Sequence, residues 1–139
     1  MSQENVEVVR RGVEAFSRGA WEESVELMDP AVEWHDAPDL PGAQTARGRE
    51  GVIAQWRGMS EALEDFSVDI ERFLDAGDRV VVFLRSRGRG RASGIEVSRR
   101  LVQVCTVQNG RVTEIVGYDD PAGALEAVGL SEQDVHADS

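Results

Sequence analysis

The 139-residue sequence contains no lysine; all 15 of its basic residues are arginine. That absence excludes lysine Schiff-base chemistry and a P-loop lysine. A single cysteine, Cys105, excludes a disulfide within the chain and fits a reducing, cytoplasmic setting. It sits in a strand-like apolar run and reads as a buried, inert thiol. The two histidines, His35 and His136, are too few for a histidine-rich metal site. No stretch approaches the roughly 18 apolar residues of a membrane span, and the opening MSQENVEVVRRG lacks an apolar signal core. Nucleotide-binding glycine motifs and Cys/His zinc spacings are missing, and Ser93 in RASGI has no nucleophile-elbow context. The expectation is a soluble protein with no cofactor, no metal centre and no membrane partner.

What is present is acidic and apolar. A formal charge of -11 opposes a nucleic-acid partner, because a surface of that sign repels phosphate. With 41 % hydrophobic residues the chain can build one core. One domain is expected over residues 1–131, followed by a polar tail at 132–139. Val6, Val9, Val13 and Phe16 follow helical spacing up to Gly19. A short helix with Trp21, Val25 and Met28 on one side is expected to end before Pro30. VEWHD (32–36) alternates as a strand, and residues 37–48 read as a loop. Val52, Trp56, Met59 and Leu63 form the apolar stripe of a third helix.

Beyond that helix the period changes from 3.6 to 2. FSVDIERFL, RVVVFLRSRGR, EVSRRLVQVCTV and RVTEIVGY predict four strands, with turns at Gly77-Asp78 and Asn109-Gly110. Asp120 and Pro121 start a short terminal helix. This order predicts an α+β fold in which helices cover one face of a curved sheet and leave a cone-shaped pocket. RSRGRGRASG then lies at the far end of a hairpin, with Arg85, Arg87, Arg89 and Arg91 on the face that begins with Val81 and Phe83. Three roles fit this ladder: pairing with carboxylates such as Glu61, Glu64, Asp65 or Asp69, a dimer contact, or recognition of an anionic substituent.

In this order, VEAFSRGAWEESVELMDPAVEWHD, RGREGVIAQW, NGRVTEIVGYDDP and ALEAVGL resemble the SnoaL-like (polyketide-cyclase-like) branch of the nuclear transport factor 2-like superfamily. The resemblance spans about Val6 to Leu130. It implies the cone-shaped, cystatin-like fold, with a curved antiparallel sheet covered by N-terminal helices and a short C-terminal helix. It also implies a homodimer through the outer sheet face. Comparison with ketosteroid isomerase places Asp36 at the general base, Gly12 where that enzyme has its oxyanion-hole tyrosine, and Gln103 where it keeps a protonated aspartic acid. Comparison with the cyclases and the limonene-epoxide-hydrolase type places Gly117 at their catalytic aspartate, with Asp119 two residues on.

The site reading follows from these positions. Asp36 shares a strand face with Trp34 and is the candidate base; its structural alternative is to cap or turn the chain before Ala37-Pro38. His35 points the other way, either as a hydrogen-bonded strand residue or as a proton shuttle. A metal role for His35 with Asp36 and Asp39 rests on an unspecific spacing. Trp56 is a core residue or a pocket wall. Gln103, Tyr118 and Asp119 are candidate substrate contacts, each with a structural alternative in the core or the sheet. Two functions remain open. One is a cofactor-independent isomerase, cyclase or dehydratase acting on a compact apolar substrate. The other is a noncatalytic ligand-binding or dimeric scaffold protein of the same fold.

Overall fold

The computed structural model describes residues 2–38 and 43–131. Its elements run α1 (Ser2–Ser17), α2 (Trp21–Glu26), β1 (Met28–His35), β2 (Thr45–Arg47), α3 (Gly48–Ala62), β3 (Leu63–Ala76), β4 (Arg79–Gly90), β5 (Glu96–Gln108), β6 (Arg111–Tyr118) and α4 (Pro121–Ala127). The six strands form one sheet in the order β2-β1-β6-β5-β4-β3. All neighbours are antiparallel except β1 and β6, which run parallel. The architecture is α+β, as the period change predicts. No helix among the described residues is long and apolar enough to cross a membrane.

Strand alternation sorts the side chains onto two faces. Val80, Val82 and Leu84 of β4 and Cys105 of β5 join the larger core, which also buries Val9 of α1, Val25 of α2, and Val52 and Trp56 of α3. This is the inner face. Val81, Val102 and Val104 lie on the opposite, outer face, where they pack with Leu74, Ala124 and Leu125. Helix α4 therefore covers the outer face, a side the sequence did not assign to it. Asp120 starts it by accepting a hydrogen bond from Ala122 N at 3.0 Å, with Pro121 in the first turn.

Three boundaries differ from the sequence reading. Met28 opens β1 instead of closing α2, which ends at Glu26. Pro30 sits within β1, in the irregular stretch between the paired residues Met28 and Glu33, where a missing N–H breaks no regular ladder. Leu63 begins β3 instead of extending the α3 stripe, and β2 forms inside the expected loop. The Asn109-Gly110 turn behaves as its residues predict, with φ of 54° and 77°. Both values lie in the left-handed region a tight primed turn requires.

Candidate functional site

Trp34 and Asp36 approach helix α3 together, as their shared parity predicts. The Trp34 ring meets Trp56 edge-on, with centroids 5.8 Å apart. Just past the end of β1, Asp36 accepts from Gln55 Nε2 at 2.7 Å through Oδ1 and from Gln44 N at 3.3 Å through Oδ2. Its own N–H donates to Gln44 O at 3.1 Å. The carboxylate therefore ties the strand end both to α3 and to the segment entering β2. Gln55 Oε1 is buried and has no partner among the described residues. A buried acceptor of that kind is costly unless a donor reaches it.

Gln103 lies on the same inner face, opposite Gly117 in the β5–β6 ladder. Gly117 is buried where the chain from His35 to Ala37 crosses it. A Cβ there would stand 3.0 Å from Ala37 N and 3.4 Å from His35 O. Backbone thus crowds the space a side chain at 117 would need. Gly12 lies where α1 packs on α2: its carbonyl accepts from the buried Ser24 hydroxyl at 2.8 Å, and a Cβ there would meet only ordinary contacts at 3.9 Å.

The remaining sequence-selected residues are not gathered with Asp36. His35 turns to the outer face, as expected, with Nδ1 3.1 Å from Thr45 Oγ1. Asp36 stands apart from it, and Asp39 lies outside the described residues. Tyr118 packs on the outer face with the cluster under α4. Asp119 pairs with Arg99, both side chains largely shielded from solvent. Burial pushes the Cys105 thiol up to about 12, in keeping with an inert residue. Three arginines of the ladder follow the first of its three expected roles, while Arg85 donates to Ser98 Oγ at 3.1 Å. Arg87 faces Asp69 at 3.6 Å, and Arg89 faces Glu64 and Asp65 at 3.9 Å each. Arg91 faces Glu64 at 3.8 Å and also donates to Ser60 O at 3.1 Å.

Sequence reasoning named Trp56 as a core residue or pocket wall but missed the other walls of a cleft of about 370 Å³ between the end of α1, α2, α3 and the start of β3. Its walls include Phe16, Trp21, Trp56, Met59 and Phe66, with Arg91 at the rim. The Phe16 ring is central. It stands 4.8 Å from Trp56, 6.1 Å from Phe66 and 6.5 Å from Trp21. Trp56 thus separates two environments, with the cleft on one side and Trp34 on the other. The available signal was compositional: all three tryptophans and two of the four phenylalanines belong to this one chain of ring contacts.

No curated protein matches the chain. A family model described as a SnoaL-like domain matches residues 9–115. Among solved structures, a nuclear transport factor 2-like protein of unknown function from Burkholderia pseudomallei is 25 % identical, with 91 % of this chain and 98 % of that one covered at a TM-score of 0.75. A SnoaL-like polyketide cyclase assigned in Jannaschia sp. is 25 % identical, with 91 % and 92 % covered at 0.74. TerC, co-crystallized with polyporic acid, is 23 % identical, with 90 % and 98 % covered at 0.74, and shows likeness of fold alone.

Proposed function

The chain belongs to the SnoaL-like domain family, and from that premise we propose that it binds a compact, flat, largely apolar small molecule in the cleft walled by Phe16, Trp21, Trp56 and Phe66. The observation that carries the reading is the volume and lining of that cleft, about 370 Å³ with four aromatic side chains in its wall. Binding sites for small molecules fall in this size range and have this apolar character, with few polar groups. Arg91 gives the rim a guanidinium suited to a carboxylate on the ligand. That a relative of the same fold was co-crystallized with polyporic acid is consistent with such a ligand.

The test uses 2-naphthoic acid as probe and tryptophan fluorescence as readout, because Trp21 and Trp56 both line the cleft. Saturable quenching that is lost in Trp21→Ala and weakened in Arg91→Ala is the expected result. Quenching that persists unchanged in Trp21→Ala would overturn the assignment of the cleft.

One observation favours a second, catalytic reading. The orphaned Gln55 Oε1 lies on the side chain that holds Asp36, so a donor group belongs near this carboxylate. On that reading Asp36 transfers a proton in an isomerisation, cyclisation or dehydration. Turnover abolished by Asp36→Asn with probe binding intact would support it. Turnover that survives this substitution would exclude it.

Homodimerisation through the outer sheet face is the remaining part of the proposal. Phe83 and Val116 supply half-buried apolar surface there. Sedimentation at twice the 15.2 kDa chain mass is expected, and a monomer would overturn it.

A further inference from the structure

We propose that Glu33, His35 and Glu114 form a binding site for a divalent transition-metal ion, with Zn²⁺ the ion best suited to the donor set. Glu33 and His35 stand two residues apart on β1 and share its outer face. Glu114 is the direct neighbour of Glu33 across the parallel β1–β6 pair. One donor atom from each of the three side chains lies within 4.8 Å of the others. His35 Nε2 is 3.2 Å from Glu33 Oε1 and 3.7 Å from Glu114 Oε2.

Those separations match the chemistry. Zinc holds nitrogen and oxygen ligands at about 2.0–2.2 Å, so two ligands of a tetrahedral shell stand about 3.4 Å apart. The two distances from His35 bracket that value. One imidazole and two carboxylates also make a mixed nitrogen and oxygen set of the kind that binds zinc with a fourth position left to water.

A second observation concerns charge. Like charges directly opposite on neighbouring strands destabilise a sheet, yet Glu33 and Glu114 occupy such positions. Arg47 of β2 pairs with Glu33 Oε2 at 2.8 Å, but it is 72 % exposed and leaves Oε1 turned toward His35. A dication between the carboxylates offsets their repulsion where one solvated guanidinium does so weakly.

The third observation is orientation. Thr45 Oγ1, from β2, lies 3.1 Å from His35 Nδ1. A hydroxyl accepts from Nδ1–H when Nε2 binds a metal, which fixes the ring as outer partners of metal-bound histidines do. The same hydroxyl donates to Nδ1 when Nε2 carries the proton, so the metal-free cluster is also satisfied. Binding would therefore need only a shift of the ring's one proton from Nε2 to Nδ1. All three ligands sit on paired strands, and their side chains are 32–48 % exposed in the single chain.

The experiment is a calorimetric titration of the chelator-treated full chain with Zn²⁺, alongside Co²⁺ monitored by its visible absorption. One ion per chain is expected, with the more intense cobalt bands of a four-coordinate site. His35→Ala and Glu114→Gln should each weaken binding by more than the about tenfold typical of an outer partner, and Thr45→Val by about tenfold. His136→Ala should leave binding unchanged. Glu114→Gln keeps the size and polarity of the residue, so it reads ligation even where His35→Ala perturbs folding. Absence of saturable Zn²⁺ binding by the natural chain would overturn the proposal, as would wild-type affinity in Glu114→Gln. The site is on the opposite sheet face from the aromatic cleft, and its failure would leave the ligand proposal untouched.

Discussion

Gln55 donates to Asp36 at 2.7 Å across 19 residues of sequence, while the carbonyl oxygen of the same amide is buried without a partner among the described residues. One half of the side chain is satisfied by the end of β1 and the other half by no described residue. Replacing Gln55 with Leu removes the orphaned acceptor but also takes a donor from the Asp36 carboxylate. Losing a partner of a charged group costs about 1–3 kcal/mol. We expect a net destabilisation near the lower end of that range, measured by urea unfolding. Asp36→Asn keeps an acceptor for only one of its two donors, Gln55 Nε2 and Gln44 N, and should cost at least as much. A smaller loss would show that this contact is not what holds the strand end.

Gly117→Ala tests the crossing of the chain over β6. Its Cβ would meet Ala37 N at 3.0 Å, and backbone cannot move aside as a side chain can. Overpacking of this kind costs about 1–3 kcal/mol. Gly117→Asp should be worse, since it adds a carboxylate to the same filled space. Denaturant midpoints of the two variants check the order.

Phe16→Ala removes the ring that touches Trp21, Trp56 and Phe66 together. A stability loss of about 3 kcal/mol is expected, with a change in the tryptophan emission of the native state. Phe66→Ala removes one edge contact and should cost less. Equal losses would show that Phe16 is not the centre of the cluster.

Cys105 supplies a pH test. Its folded pKa is about 12, raised by burial from 9.0, so the folded state keeps the thiol proton where the unfolded chain loses it. Between these values the unfolded state binds fewer protons, and stability falls as pH rises from about 9 toward about 12. Cys105→Ala should flatten that part of the profile. At pH 8 the native thiol should resist a disulfide reagent and react once urea unfolds the chain.

Arg87→Ala should change stability by less than about 0.5 kcal/mol, because both Arg87 and Asp69 are 61 % exposed and exposed pairs contribute little. A larger loss, read in the same unfolding assay, would mean that the ladder is buried in an assembly.

Much of the sheet was legible because alternation is a direct consequence of strand geometry. Val80, Val82 and Leu84 separated from Val81, Phe83 and Arg85 on parity alone. Strand β2 was not legible, since three residues cannot establish a period. The side on which α4 docks was hidden for a related reason: its apolar residues show that it docks, not where. At the site, Trp34 and Asp36 could be placed together by parity. Gln55 could not, because a lone polar residue on a helix carries no pattern. Phe16 and Trp21 were read only as apolar helix positions and Phe66 as a strand position, because clefts and cores are lined by the same residue types. Glu33 and Glu114 escaped notice because their meeting depends on β1 pairing with a strand some 80 residues away, which local periodicity does not encode.

That parallel pairing also orders the assembly of the molecule. Strands β3 to β6 follow one another as antiparallel neighbours, so each can zip onto the one before it. Strand β1 emerges early yet has only the three-residue β2 as a local partner. Its main neighbour, β6, is the last strand made. Closing so long a stretch of chain is entropically expensive and slows folding. The expected sequence of events is a four-stranded meander first, then capture of the β1–β2 edge. Until that capture, one border of β6 stays open, and a nascent chain is most exposed to pairing with the wrong strand along that border.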